Sequence, residues 1–178
     1  MKKFLIIISV LLIGCAPWMK VGGGYENSHD KYSVDLPQGW MKLNTDKYLF
    51  ITRDGSLLQN IIIERVDLEK PLKFTKKKLN KNMLPLEVSE IIIDNISSDN
   101  AVLNLNIIEN IPVTIDGSQG FKILFTYKNK DGLKFKSLYC GFLSEDWLYS
   151  IRYTAAERYY FHKDVGSFEK LLNSFKLS

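Results

Sequence analysis

The apolar positions of the chain change their period several times, and each change marks an expected element. Phe4 to Ile13 (FLIIISVLLI) is apolar but for Ser9. Further on, Tyr32, Val34 and Leu36 alternate with polar residues as a strand does, Pro37-Gln38-Gly39 signals a turn, and Trp40 to Leu43 resumes an extended path. Tyr48 to Thr52 and Asn60 to Asp67 read as strands on either side of Arg53-Asp54-Gly55-Ser56, where Asp-Gly is a strong turn signal. Together these segments predict an N-terminal β meander.

Between Lys70 and Asn100 the texture shifts. Thr75 is placed to cap a short helix through Leu79 and Met83, and Pro85 either breaks that helix or opens a second one. Leu84, Val88, Ile91 and Ile92 share one face at helical spacing, although Ile91-Ile92-Ile93 fits a buried strand equally well. We read this stretch as helical.

The second half is more plainly β. Leu103, Leu105 and Ile107 alternate with Asn104 and Asn106, and the extended path continues past Pro112 to Ile115. A turn over Asp116 to Gly120 leads into Phe121, Ile123, Phe125 and Tyr127 on one face; Asn129 to Gly132 is a hairpin turn, and Ser144-Glu145-Asp146 separates Leu133 to Leu143 from Trp147 to Tyr153. Consecutive strands joined by such short turns must be antiparallel, since parallel neighbours need a crossover of a dozen residues or so. Leu138, Cys140 and Phe142 alternate with the equally apolar Phe135 and Tyr139, so the sheet is expected to be covered on more than one side. One cover is the last segment, where Phe161, Val165, Phe168, Leu171, Leu172 and Phe175 form an apolar helical stripe, with Lys163, Glu169 and Lys170 off it.

Composition narrows the class. In 178 residues, 46% apolar, 12% aromatic and 25% charged, there is enough apolar content for one compact domain, and wholesale disorder, a collagen-like chain and a polytopic membrane protein are excluded.

The N-terminus carries the sharpest signal. Met1-Lys2-Lys3 is a positive leader to an apolar run of ten residues, half of the roughly 20 needed to span a bilayer core as a helix. The segment reads as an export signal. The following Leu12-Ile13-Gly14-Cys15 resembles the lipobox of bacterial lipoproteins, an ordinary secretory signal with an incidental cysteine being the alternative. The resemblance implies diacylglyceryl transfer to the Cys15 sulfur, cleavage between Gly14 and Cys15, and acylation of the freed amine. A thiol is the nucleophile that thioether formation requires, and two or three acyl chains anchor stably where one holds only marginally. The expected product is a membrane-attached cell-envelope lipoprotein without a transmembrane helix. Ala16, in place of the Asp that favours inner-membrane retention in the resembled lipoproteins, leans toward the outer membrane, facing the periplasm, if two membranes are present.

This reading changes the charge balance. Loss of Lys2 and Lys3 leaves 22 basic against 20 acidic residues, so a net charge of +4 becomes +2, which gives no case for a nucleic-acid partner. It also leaves Cys140 without an intramolecular partner, so no disulfide staples the fold. Residues 16–30, with Gly22-Gly23-Gly24, lack the Lys-Ser or Lys-Thr and the following helix of a phosphate loop. The expected organisation is a cleaved signal peptide at 1–14, a lipidated flexible tether at 15–30, and a single α+β domain at 31–178.

The opening Tyr32-Ser33-Val34-Asp35-Leu36-Pro37-Gln38-Gly39-Trp40, a central helical region, the Gly120 entry to a hairpin and the closing Asn173-Ser174-Phe175-Lys176 resemble the PsbP/Mog-like fold across about residues 31–177. The resemblance implies an α-β-α sandwich, an antiparallel β-sheet flanked by helices. The family includes extrinsic photosystem subunits, a nuclear Ran-binding protein and envelope lipoproteins of the DcrB type, which share a binding scaffold and no common catalytic centre.

The chain itself offers little catalytic chemistry. Its two histidines are His29 and His162; Glu157, Arg158, His162 and Asp164 are near one another in sequence but read as a solvated helix face, and no cofactor or metal is implied. No Gly-x-Ser-x-Gly elbow occurs, Ser144-Glu145-Asp146 reads as a turn, and Glu87, Glu90 and Asp94 are ordinary surface-helix carboxylates. Cys140, within an apolar stretch, reads as an inert thiol.

Two surface features remain. Lys70, Lys73, Lys76, Lys77, Lys78 and Lys81 put six positive charges into twelve residues, either a solvated segment or a patch for a membrane or partner. Tyr159 and Tyr160 cannot both face inward on a helix. The leading expectation is thus a non-enzymatic, lipid-anchored domain that engages another envelope protein or assembly. The alternative is a periplasmic carrier or sensor of a small apolar ligand, which requires an apolar pocket of roughly 300 Å³ or more between helix and sheet.

Overall fold

The computed structural model describes residues 17–178. The expected signal segment, its cleavage site at Gly14 and the lipidation residue Cys15 lie outside the described residues. The chain forms β1 (Trp18–Asn27), β2 (Tyr32–Leu43), β3 (Leu49–Thr52) and β4 (Gln59–Asp67), then α1 (Pro85–Ser97), then β5 (Leu103–Ile115), β6 (Ser118–Lys128), β7 (Lys134–Ser144) and β8 (Trp147–Ala156), and ends with α2 (Tyr160–Ser174) and β9 (Lys176–Leu177).

Two meanders make one sheet. Strand order is β1-β2-β3-β4-β8-β7-β6-β5, with β9 added to β2, and every pairing is antiparallel. The seam is β4 against β8, where Ile61 stands opposite Tyr153 and Ile63 opposite Ile151. The segment from β4 to β5 carries the chain to the far edge of the sheet, and the second meander then returns to close the seam.

Because successive strand residues point to opposite faces, the sheet has two cores. On one face, Phe161, Phe168, Leu171 and Phe175 of α2 pack on Tyr32, Trp40, Ile51, Ile61, Ile151 and Tyr153. On the other, Val88 and Ile92 of α1 pack with Phe121, Ile123, Phe125 and Tyr139, joined by Leu68, Leu72 and Leu79 from the connecting segment. The sheet dominates, and the two helices cover only parts of it. α1 lies on β5 and β6, whereas α2 lies on β2, β4 and β8. No described helix is long and apolar enough to cross a membrane.

The expected helical stripe over Leu84 to Ile92 is α1, with Pro85 in its first turn and the Leu84 amide donating to Glu87 Oε2 at 2.7 Å. This resolves Ile91 to Ile93 as helix. The shorter helix expected from Thr75 does not form. Lys76 sits at φ +60°, which a continuous right-handed helix does not permit, and the Phe74 and Thr75 amides are held by Asn95 Oδ1 at 3.0 and 3.3 Å while Leu72 and Leu79 turn into the core.

The flexible tether also requires correction. Residues 18–27 form β1, paired along β2 from Trp18 opposite Leu43 to Asn27 opposite Tyr32, so the folded domain begins at Trp18 and not at Lys31. Main-chain hydrogen bonds to the free edge of β2 need no side-chain periodicity, and Val21 and Tyr25 add partial burial against the core. The glycines serve a bulge. Pro37, Gln38 and Gly39 stand opposite Gly22 alone, a Cβ on Gly22 would collide with the Gln38 side chain, and Gly23 and Gly39 take φ of +85° and +79°. The turn expected at Pro37 to Gly39 is therefore an irregularity within one long strand.

Candidate functional site

The six-lysine segment is built by its apolar residues. After β4 the chain is tied down by the Leu68 amide to Asp146 O at 3.0 Å; the Leu72 amide then donates to Lys77 O at 2.8 Å and the Lys76 amide to Leu72 O at 3.1 Å, closing a compact loop. With Leu72 and Leu79 buried beneath it, Lys70, Lys73, Lys76, Lys77, Lys78 and Lys81 are all forced outward and exposed. Lys77 pairs with Asp94 of α1 at 2.7 Å and Lys78 with Glu69 at 3.3 Å. Exposed pairs of this kind contribute little to stability. Lys70, Lys73, Lys76 and Lys81 have no carboxylate partner among the described residues.

Phe74, at the tip of this loop, roofs a cavity of about 310 Å³ between the C-terminal end of α1 and the sheet, lined also by Asn60, Ile62, Asn95, Asp99 and Arg152. Its volume reaches the size that a small ligand needs. The lining does not suit an apolar one, because an arginine, two asparagines and a carboxylate face it. Arg152 has no ion-pair partner among the described residues; its guanidinium lies 5.9 Å from the Tyr139 ring centroid. Ser137 and Thr154, also in the lining, bond each other at 2.7 Å.

A second concavity lies at the other end of α1. This groove of about 430 Å³ runs between Leu84, Pro85 and Leu86 of the helix start and Pro112, Val113 and Gly120 of the β5–β6 hairpin. Leu84 is 65% exposed, and Leu86, Ile108 and Ile111 are also exposed. β5 is the outermost strand at this edge, so its main-chain groups on one side lack a strand partner among the described residues.

The remaining candidates are dispersed. Asp164 is buried, accepts a hydrogen bond from Arg53 Nη1 at 2.8 Å and is also bonded by Gln59 Nε2. Glu157 pairs instead with Lys134 at 2.9 Å, and His162 is exposed. Among the described residues no cluster of three or more His, Cys, Asp or Glu is placed to hold a metal ion. Glu87 caps α1 and Asp94 pairs with Lys77. Cys140 is fully buried, and burial pushes its thiol up to about 12, far from the thiolate range a nucleophile needs. Tyr159 is 62% exposed whereas Tyr160 is half-buried, and the Tyr153 hydroxyl donates to the Tyr160 carbonyl at 2.8 Å.

The Arg152 cavity and the α1 groove were not visible in the sequence. Each joins residues far apart in the chain, and the only local trace of the groove is Leu84-Pro85-Leu86, an apolar triplet at a helix start.

The candidate surfaces thus lie on the loops and one edge of a two-meander antiparallel sheet with one helix on each side. The model of the PsbP family matches residues 23–177, and the chain belongs to that family. Its fold is similar to that of cyanobacterial PsbP from Synechocystis sp. PCC 6803, with a TM-score of 0.62 and 14% identity over 93% of this chain and 95% of that one. It is also similar to the Ran-binding protein Mog1p of Saccharomyces cerevisiae, with a TM-score of 0.57 and 10% identity over 89% of this chain and 96% of that one. At such identities the likeness concerns the fold alone. No curated protein sequence matches the chain.

Proposed function

We propose that the protein is a lipid-anchored cell-envelope protein whose PsbP-type domain, an α-β-α sandwich with partial helical covers, is a non-catalytic scaffold for another envelope protein or assembly. The anchor rests on Leu12-Ile13-Gly14-Cys15 following an apolar run too short to span a bilayer. The observation that supports protein binding is the groove at the start of α1. Its exposed Leu84 and Leu86, together with Pro112 on an edge strand, form apolar surface of the kind that marks interaction sites. An edge strand beside an apolar groove suits an extended peptide segment, with main-chain pairing for affinity and side-chain pockets for selection. A relative of this fold that binds Ran is a precedent for protein binding on the scaffold.

The test is site-specific photocrosslinking in intact cells from Leu86 and Thr114, both in the groove, with the exposed Tyr159 on the opposite side as control. A discrete adduct from the groove positions, absent at Tyr159 and lost in Leu84→Asp, supports the reading. Equal labelling at all three positions, or no adduct, contradicts it.

The second reading, a carrier or sensor of a small ligand, is favoured by the cavity under Phe74. Arg152 and Asn60 there suit a polar ligand in place of the apolar one first expected.

A further inference from the structure

One part of the sheet has no helical cover among the described residues. On the face away from α2, neither helix reaches β1, β2 and β3. The residues there are apolar. Trp18 stands opposite Leu43, Met41 opposite Thr52, and Phe50 opposite Ile62, and this register places them all on the face that continues into Arg152 and Tyr139. Trp18, Met41, Leu43, Phe50 and Ile62 are only half-buried. Trp18 meets Phe50 edge-on at 5.8 Å, and Tyr48 meets Phe50 at 6.4 Å. The exposed Lys20, opposite Met41, lies on the same face.

Two further observations point to what covers this face. The basic loop lies on the same side of the sheet, because Phe74 lines one cavity with Ile62 and Arg152, and Lys73 and Lys76 flank it in sequence. In addition, β1 starts at Trp18, three residues after Cys15. Three extended residues reach about 11 Å, so a lipid on Cys15 would hold the start of β1 at headgroup level. The longer tether expected from the sequence would have imposed no such restraint.

We infer that the uncovered face of β1–β3 is a membrane-docking surface, with Trp18 and Phe50 at the headgroup boundary and Lys20, Lys73 and Lys76 against anionic phospholipid. This inference rests on the lipid-anchor reading. Tryptophan and tyrosine are the side chains suited to the membrane–water boundary, and lysines beside them supply attraction to anionic lipid. Docking on this face leaves the α2 side and the free edge of β5 directed away from the bilayer or along it, accessible to a partner.

The full chain, extracted with its anchor and reconstituted in vesicles of phosphatidylethanolamine and phosphatidylglycerol with brominated acyl chains, tests this through tryptophan quenching. Trp40, buried in the core, and Trp147, half-buried against the core on the α2 side, serve as internal references. The expected result is quenching that falls at least twofold in Trp18→Phe, falls at high salt or in the Lys20→Glu/Lys73→Glu/Lys76→Glu variant, and does not increase in Tyr159→Trp. Mass spectrometry of the N-terminal peptide separates the two readings. An acylated protein whose quenching is unchanged by Trp18→Phe overturns the docking face and leaves the anchor standing. An N-terminal peptide without acyl chains overturns both.

Discussion

Arg53, at the end of β3, holds the buried Asp164 of α2 through a 2.8 Å hydrogen bond from Nη1, and Gln59 at the start of β4 bonds the other carboxylate oxygen. Lys163 and Asp54 make a second link between the same elements at 2.5 Å. The β3–β4 turn and the first half of α2 are thus joined by charge as well as by the Phe161 and Phe168 packing. Asp164→Ala leaves Gln59 Nε2 with only its long 3.4 Å hydrogen bond to Asp54 Oδ2. The cost of breaking a fully buried pair, about 3–5 kcal/mol, is reduced because the Arg53 side chain is 47% exposed and regains water. A loss of about 2 kcal/mol is expected, read from the urea midpoint at unchanged m-value.

Alkaline pH should destabilise the domain through Cys140 and the core tyrosines. Burial raises the Cys140 thiol from 9.0 to about 12, and it raises Tyr32 and Tyr153 as well. A raised acid is neutral in the folded state while its unfolded counterpart already ionises. The stabilising contribution is therefore fully present below pH 9.0 and lost as pH rises toward 12. Tm measured from pH 7 to 11 should fall above pH 9, less steeply in Cys140→Ala after allowing for that variant's own offset. A flat profile would contradict the burial of these groups.

Gly120→Ala should destabilise despite lying in a strand. A Cβ there would sit 2.5 Å from Gly141 O and 3.0 Å from the Phe142 Cβ, both on the neighbouring strand. Displacing a paired strand in a filled core costs about 1–3 kcal/mol, more than the ~0.4–1 kcal/mol gained by restricting the unfolded chain. Differential scanning calorimetry should give a lower Tm for Gly120→Ala, whereas an alanine at the exposed helical Gly166, which meets nothing within 4 Å, should raise it.

Asp116 ties the C-terminus to the β5–β6 turn, accepting from Lys176 Nζ at 2.8 Å and from the Leu177 amide at 2.9 Å. These hydrogen bonds hold its carboxyl below the usual 3.8. The contribution is present above that value and lost as pH falls through the lowered one. In Asp116→Asn the β9 amides should exchange hydrogen faster, with little change in global stability; unchanged exchange at Leu177 would show that the tie carries no weight.

Much of the second meander is legible from sequence because Phe121, Ile123 and Phe125 alternate and short polar turns separate the strands. α1 is legible from Pro85 and the spacing of Val88 and Ile92, and α2 from its apolar stripe. β1 is not. Its glycines and polar residues carry no periodicity, and its formation depends on the free edge of β2. The seam of β4 against β8 is likewise invisible, since nothing local to Ile61 or Tyr153 names the other as neighbour. For the candidate surfaces, the lysine cluster is readable as charge, but the pairing of Lys77 with Asp94 and the placement of the loop beside an uncovered sheet face emerge only from the fold. The solvated helix face expected over Glu157, Arg158, His162 and Asp164 fails at Asp164, which α2 turns inward to Arg53, while His162 stays outward.

The central claim is that the domain is held to a membrane through Cys15. Replacing Cys15 with Ser in the full chain and fractionating the cells tests it most directly, with signal processing followed by mass spectrometry. The account predicts that the wild-type protein is acylated, is cleaved after Gly14 and floats with membranes, whereas Cys15→Ser is neither acylated nor cleaved at that bond. A Cys15→Ser protein that is still processed after Gly14 and still floats with membranes would contradict it.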